Sequence, residues 1–299
     1  MIQNVSYHSP IVYEHALSRD PRWALAEGSK HFEEKSAVHQ ALQKIAGRLE
    51  HLQIPYAVAG GMALFRHGFR RFTEDVDVLV TKDGLARIHE ALEGLGYVPV
   101  FTGSKNLRDT ENGVRIEFLI AGQYPGDGRP KPVAFPEPQD VAERREGINY
   151  LQLPTLIELK LASGATNPQR IKDLADVQEL IKLLDLPAEF QEQLAPFVRN
   201  KYLELWQVVH PPGTRYLRVW KLPEDAGEIR SLDDLAAQRP EDAELVASMK
   251  EDGVVLAPES DPKHGLIVLA CTNPESARKY GMHEESEFRL PDAPGGPEG

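Results

Sequence analysis

Apolar residues return at helical spacing from Ser36 to Leu52. Ala37, Val38, Ala41, Leu42, Ile45 and Leu49 form one stripe, which predicts an amphipathic helix closed by Pro55. Tyr56–Ala59 then reads as a short buried strand broken by Gly60-Gly61, and Met62–His67 as a helix start stopped near Gly68. Asp75–Val80 alternates polar and apolar residues at its start and is β-branched, so it predicts a strand. Asp83–Leu95 predicts a helix with Leu85, Ile88, Leu92 and Leu95 on one face and Gly94 and Gly96 at its end. Tyr97–Phe101 and Val114–Ile120 predict two further strands, and residues 121–138, rich in Pro and Gly, a loop or arm. Leu151–Leu153 reads as a short strand, followed by helices at Thr155–Ala162 (opened by Pro154), Gln169–Leu184 and Glu189–Val209. Residues 1–30, with Pro10 and Pro21, read as irregular.

Pro211-Pro212-Gly213 punctuates the chain. Beyond it Tyr216–Trp220, Val254–Ala257 and Leu266–Ala270 predict strands, and Leu232–Ala237 and Glu241–Lys250 helices. The pattern is α+β: a mixed sheet with helices, a helical segment, and a small C-terminal α+β domain. It divides the chain into an N-terminal extension (1–35), a main domain (36–210), a small domain (214–288) and a disordered tail (289–299).

Charge sharpens that division. The chain has 299 residues and a net charge of -12. Residues 201–299 hold 11 Lys+Arg against 19 Asp+Glu, whereas residues 1–200 hold 23 against 27, so the small domain is the acidic part. Such a balance argues against a general nucleic-acid coat protein, which needs a basic surface to displace counterions. It leaves room for a local basic site, and Arg66, His67, Arg70 and Arg71 form one, suited to a nucleic-acid acceptor or a triphosphate. The lone cysteine, Cys271, excludes an intrachain disulfide and any multi-cysteine metal site, reads as buried apolar filler, and points to a reducing, cytoplasmic compartment. No apolar run approaches the ~18–20 residues of a membrane span, and the first residues lack a signal-peptide pattern. His31, His39 and His51 have no ligand spacing and read as surface residues.

The chemistry concentrates between Val58 and Val80. Asp75 and Asp77 stand two residues apart on a predicted strand, so both carboxylates share one face, about 7 Å apart at the backbone. Two anions at that range raise a pKa or call for a cation, and hard oxygen ligands favour Mg2+ or Mn2+ over zinc. Glu117, mid-strand between Ile116 and Phe118, joins the pair if its strand is a neighbour. Three carboxylates can hold divalent ions that bridge a triphosphate during in-line displacement at phosphorus. Gly60-Gly61, between a strand and a helix, lets the backbone and the helix N-terminus approach a phosphate.

Gly60-Gly61, thirteen residues, then Asp75-Val-Asp-Val78 resembles the DNA polymerase β-like nucleotidyltransferase superfamily. Within it, Gly-Gly-Met-Ala-Leu64 and Arg71-x-Thr73-x-Asp75-x-Asp77 are similar to the AbiEii-type toxin nucleotidyltransferases of toxin–antitoxin and phage-defence systems, over about residues 36–205. A second motif supports the resemblance: Leu159-Lys160-Leu-Ala-Ser163, followed by Arg170-Ile-Lys-Asp173-Leu-Ala-Asp176.

The resemblance implies a nucleotidyltransferase fold and transfer of an NMP from an NTP to an acceptor hydroxyl. Asp75, Asp77 and Glu117 are then catalytic and metal-binding, with Gly60, Gly61, Arg71, Thr73, Lys160, Arg170, Asp173 and Asp176 around the nucleotide. Lys160 contacts the triphosphate, and Asp173 and Asp176, on one helix face, orient Lys160 or Arg170. The acceptor is a tRNA end or a protein side chain, and a cognate antitoxin is a further partner. Two departures stand out: Gly61 where many relatives have Ser, and Ala59 where related toxins often have Lys. Two alternatives stay open: a non-catalytic binding module of this fold acting through a protein partner, and a small-molecule (antibiotic) nucleotidyltransferase.

Overall fold

The computed structural model describes residues 12–210, 213, 215–222, 229–257, 260 and 266–285. They fall in two compact units that divide between Leu205 and Trp206. The expected tail at 289–299 lies outside the described residues.

The first unit is built on a seven-stranded mixed sheet. Its strands are β1 (Tyr56–Val58), β2 (Asp75–Val80), β3 (Tyr97–Pro99), β4 (Leu107–Asp109), β5 (Arg115–Ile120), β6 (Ala142–Arg145) and β7 (Ile148–Leu151), in the order β3-β4-β5-β2-β1-β7-β6. β2 runs antiparallel to β1 and parallel to β5, and β1 runs parallel to β7. The central strands are apolar: Ala57, Val58, Val76, Val78, Leu79, Val80, Ile116 and Phe118 are fully buried. β4 and β6 were not foreseen. Leu-Arg-Asp and Ala-Glu-Arg-Arg have no apolar alternation, and only pairing with β5 and β7 makes them strands. The short strand expected at Leu151–Leu153 lies three residues earlier, because Leu153 opens the next helix with Pro154 in its first turn.

The stretch 1–30 is not irregular where it is described. α1 (Tyr13–Arg19) and α2 (Pro21–Phe32) are joined at Asp20, whose carboxylate caps α2 by accepting from the N–H groups of Arg22 and Trp23. Pro21, read as a breaker, instead fills the first helical position, where its missing N–H costs nothing. Arg108 on β4 holds Glu14 of α1 through two hydrogen bonds of 2.9 and 2.7 Å. α3 (Ala37–His51) is the expected amphipathic helix, capped by Ser36, with Val38, Ala41, Leu42, Ile45 and Leu49 buried.

α4 (Gly60–Arg66) follows β1 directly, and α5 (Lys82–Leu92) follows β2, capped by Thr81. α5 stops at Leu92, so Leu95 lies past its end and is exposed rather than on the buried face. A short α6 (Pro138–Val141) precedes β6. α7 (Leu153–Thr166) and α8 (Ile171–Leu184) complete the core, followed by a 3-10 turn at Ala188–Gln193 and α9 (Pro196–Val209). The single helix expected over Glu189–Val209 is split because Pro196 has no N–H to continue the ladder.

His31 and His39 are buried, contrary to their reading as surface residues. They pack against Phe65 and Phe72, and Ser36 Oγ lies between them, 3.3 Å from His31 Nδ1 and 3.0 Å from His39 Nδ1. Burial, with His31 alongside, pushes the His39 pKa down to about 4.

The second unit is a four-stranded sheet in the order β11-β8-β10-β9, with β8 (Tyr216–Lys221), β9 (Val255–Leu256), β10 (Leu266–Cys271) and β11 (His283–Glu284). It carries α10 (Leu232–Gln238), α11 (Ala243–Glu251) and α12 (Pro274–Lys279). Its own core gathers Leu235, Val246, Met249, Ile267, Leu269 and Cys271.

Candidate active site

β1 runs antiparallel to β2 and ends with Val58 opposite Val78, so the chain leaves it beside the N-terminal half of β2. The turn between β1 and α4 therefore lies over the start of β2. Gly60 takes φ +55, and a Cβ there would fall 1.7 Å from Asp77 Oδ2. Only glycine lets the chain turn in contact with that carboxylate. A Cβ on Gly61 would lie 2.6 Å from Thr73 Cβ and 2.7 Å from Thr73 Oγ1. The Thr73 side chain thus fills the space that a serine at position 61 would need. Its hydroxyl donates to Asp75 Oδ1 at 2.9 Å.

β5 lies parallel to β2 and sets Glu117 opposite Asp77 and Arg115 opposite Asp75. The neighbour relation needed to bring Glu117 to the aspartates is therefore present. Arg115 was not foreseen. Its Nη2 is 3.2 Å from Asp75 Oδ2, and its Nε is ion-paired with Glu117 Oε1 at 2.8 Å. The period of two that puts Glu117 on this face puts Arg115 there too, so the signal was in the sequence. Among the described residues, no three His, Cys, Asp or Glu side chains are gathered into a metal-holding group. The expected convergence of three carboxylates meets a guanidinium between two of them.

The electrostatics of the three acids differ. Burial, then the charges of Asp75 and Glu117, push the Asp77 carboxyl up to about 7, while Lys160 and Arg170 pull the other way. Glu117 is raised by burial, against the opposing pull of Arg115. The donor set is all hard oxygen, and the charged form of Asp77 is disfavoured first by burial and then by the neighbouring carboxylates of Asp75 and Glu117. On both counts the residues fit a divalent cation of the Mg2+ type.

The second motif closes the cleft from the helical side. Lys160 on α7 is buried, and its Nζ donates to Asp173 Oδ1 at 2.9 Å and Asp176 Oδ2 at 2.7 Å, both on α8. Ser163 Oγ donates to Asp173 Oδ2 at 2.7 Å, and Arg170 Nε to the same oxygen at 2.9 Å. Burial alone would raise Asp173, but Lys160, Ser163 and Arg170 outweigh it and hold its carboxyl below the ordinary value. Arg71, from the segment before β2, donates to Asp176 Oδ2 at 3.0 Å. Arg71, Lys160, Arg170, Asp173 and Asp176 thus form one ionic lattice.

The rest of the expected basic cluster does not join that lattice. Arg66 pairs with Glu146, Arg70 reaches Glu34, and buried His67 lies 2.8 Å from the Leu151 carbonyl. A cleft of about 630 Å3 lies within the first unit, between the strand carboxylates and the lattice of α7 and α8. It is lined by Gly60, Gly61, Asp75, Asp77, Glu117 and Lys160, among others, and further by the unforeseen cations Lys105, Arg115 and Lys172.

An acid pair thus lies beneath a glycine turn, in one cleft with the ionic lattice of α7 and α8. Comparison with known proteins gives the class. Residues 45–261 match the family model described as nucleotidyl transferase AbiEii toxin of type IV toxin–antitoxin systems. The protein is a nucleotidyltransferase, and the chain belongs to the AbiEii toxin family. Solved structures similar to it are more distant. ANT(2")-Ia in complex with adenylyl-2"-tobramycin is 12% identical with a TM-score of 0.37, over 55% of this chain and 96% of that one. An antigenic nucleotidyltransferase-like protein from Paracoccidioides brasiliensis is 15% identical with a TM-score of 0.34, over 70% and 91%. JHP933 from Helicobacter pylori is 19% identical with a TM-score of 0.33, over 57% and 78%. No curated protein matches the chain. No helix among the described residues is long and apolar enough to cross a membrane.

Proposed function

We propose that this protein moves an NMP from an NTP to an acceptor hydroxyl, as the toxin half of a toxin–antitoxin pair. The observation that carries the proposal is Asp77, seated under Gly60 and opposite Glu117, in the same cleft as Lys160. Asp75 and Asp77 would hold a divalent cation, Mg2+ or Mn2+, which when bound would neutralise phosphate charge. Gly60 and Gly61 bring backbone N–H groups to the triphosphate. Arg71, Thr73 and Arg170 edge the same cleft and Lys160 neutralises the leaving charge, with Asp173 and Asp176 holding Lys160 in place. The acceptor oxygen bonds to the α-phosphorus, the bond from that phosphorus to the bridging oxygen breaks, and pyrophosphate leaves. The hydroxyl proton passes to Glu117.

The acceptor is an RNA end or a protein side chain, and the location is the cytoplasm. Incubation of the purified protein with Mg2+, each α-labelled NTP and cell extract tests this. Label should move to a macromolecule and be lost in Asp75→Asn and Asp77→Asn. Label on a small molecule would instead indicate an antibiotic-type acceptor. Induced expression should arrest growth, and the co-expressed cognate antitoxin should relieve it. Arg115 favours a second reading, a non-catalytic binding module, because it already neutralises part of the acid set. NTP binding with no transfer to any acceptor would select that reading.

A further inference from the structure

The segment 121–138 has a loop's composition but is clamped in place. It doubles back after β5, where the Gly122 N–H donates to the Phe135 carbonyl and the Phe135 N–H to the Gln123 carbonyl, both at 2.8 Å. Inside it, Lys131 keeps only 6% of its side chain exposed. Its ammonium donates to the Pro125 carbonyl, the Asp127 carboxylate and the Thr166 hydroxyl on α7. A buried ammonium is tolerated only when its donors are used in this way. Gly126, at φ +75, lies so close to α7 that a Cβ would come within 2.7 Å of the Ser163 carbonyl. Asn167 Nδ2 donates to the Gly126 carbonyl at 3.3 Å.

This clamp gives the cleft an apolar wall. Tyr124, Pro125 and Phe135 line it together with Leu119, the next residue after Glu117 on its face of β5. Along β5 the lining thus changes from Arg115 and Glu117 to Leu119 and the two half-buried rings. Beside the wall Gly126 meets α7 at Ser163, about one helical turn (~5.4 Å) from Lys160, and Leu119 stands about 7 Å along the strand from Glu117. The wall lines the same cleft as Lys160, Asp75 and Asp77, where the phosphates of a nucleotide are proposed to sit.

We infer that the wall formed by Tyr124, Pro125 and Phe135 is the subsite for the nucleobase of the NTP, held ready by Lys131. The inference rests on the nucleotidyl transfer proposed above. Flat rings stack on aromatic side chains with modest sequence preference, and a pre-clamped wall saves the cost of ordering it on binding.

Calorimetry with Mg2+ and either an NTP or inorganic tripolyphosphate, which has no base, tests it. Wild type should bind its preferred NTP about 5- to 150-fold more tightly than tripolyphosphate, the range set by one stacked base. Tyr124→Ala should lose most of that gap and leave tripolyphosphate binding unchanged. Equal affinities in wild type, or an NTP affinity that survives Tyr124→Ala, overturns the subsite while leaving the transfer proposal standing; the wall would then serve the acceptor. Binding of neither ligand to wild type overturns the transfer proposal and the subsite with it. Lys131→Met tests the clamp without relying on activity. The Gly122 and Phe135 amides should exchange hydrogen faster and the NTP gap should narrow. Unchanged exchange would remove Lys131 from the inference.

Discussion

Gly61 has no room for a side chain, although related enzymes often carry serine there. Thr73 fills that space, so Gly61→Ser forces two side chains together and should cost about 1–3 kcal/mol of stability by overpacking. Urea unfolding should show the loss, and Thr73→Gly in the same chain should recover part of it. At Asp77 the charge is the liability. Its native carboxyl holds a proton up to about 7, against 3.8 as the ordinary value, so between those pH values the native state binds more protons than the unfolded chain. Stability without metal should therefore be greatest below pH 3.8 as far as this group is concerned, and decline as pH rises through about 7. Asp77→Asn should flatten that decline and raise the melting temperature at pH 8, while abolishing transfer. A melting temperature at pH 8 below wild type would contradict this.

At the scale of elements, α7 and α8 are joined by buried charge. Lys160 sits between Asp173 and Asp176, whose side chains are 8% and 3% exposed. Lys160→Ala removes the shared cation and leaves two buried carboxylates with only Arg170 and Arg71 to compensate. Breaking a buried pair from one side costs about 3–5 kcal/mol, so the variant should be markedly destabilised as well as inactive. Thermal unfolding separates the two effects, because a purely nucleotide-binding lysine would leave the melting temperature unmoved. The Asp173 carboxyl is held below its ordinary value, so its contribution is present above 3.8 and is lost as pH falls through the lower native value. The burial of this lattice is not written in the spacing of the motif. Helical spacing shows which charges align, not whether a second helix buries them.

At the scale of the molecule, each unit has a core of its own. The first packs the central strands against α3, α4 and α5, with α7 and α8 packed on each other. The second packs β8 and β10 against α10 and α11. Tyr202 on α9 belongs to the first core, where it stacks on Phe190 and donates to the Pro187 carbonyl at 2.8 Å. A chain cut after Val209 keeps these contacts, and should be soluble and unfold in one cooperative transition that Mg2+ shifts upward. Aggregation of that fragment would mean that the acidic second unit is needed to cover it. A cut before Tyr202 should abolish the cooperative transition.

The central strands, α3 and the glycine turn were legible because burial on one face leaves a period that any reader of the chain can count. Asp75, Asp77 and Glu117 were legible as strand carboxylates for the same reason. The helices before Ser36, strands β4 and β6, and the burial of His31 and His39 were not, since nothing local distinguishes them from exposed polar chain until β5, β7 and the Phe65–Phe72 cluster cover them. The sequence by itself determined which residues bring charge and which strands are buried. Only the tertiary structure decided that Arg115, placed on the face of Glu117 by the period of two, meets Asp75 of the neighbouring strand, that Thr73 fills the place of a missing serine, and that Lys131 pins a proline-rich loop to α7. Each of these depends on contacts between residues far apart in the chain, where local periodicity carries no information about which charge meets which.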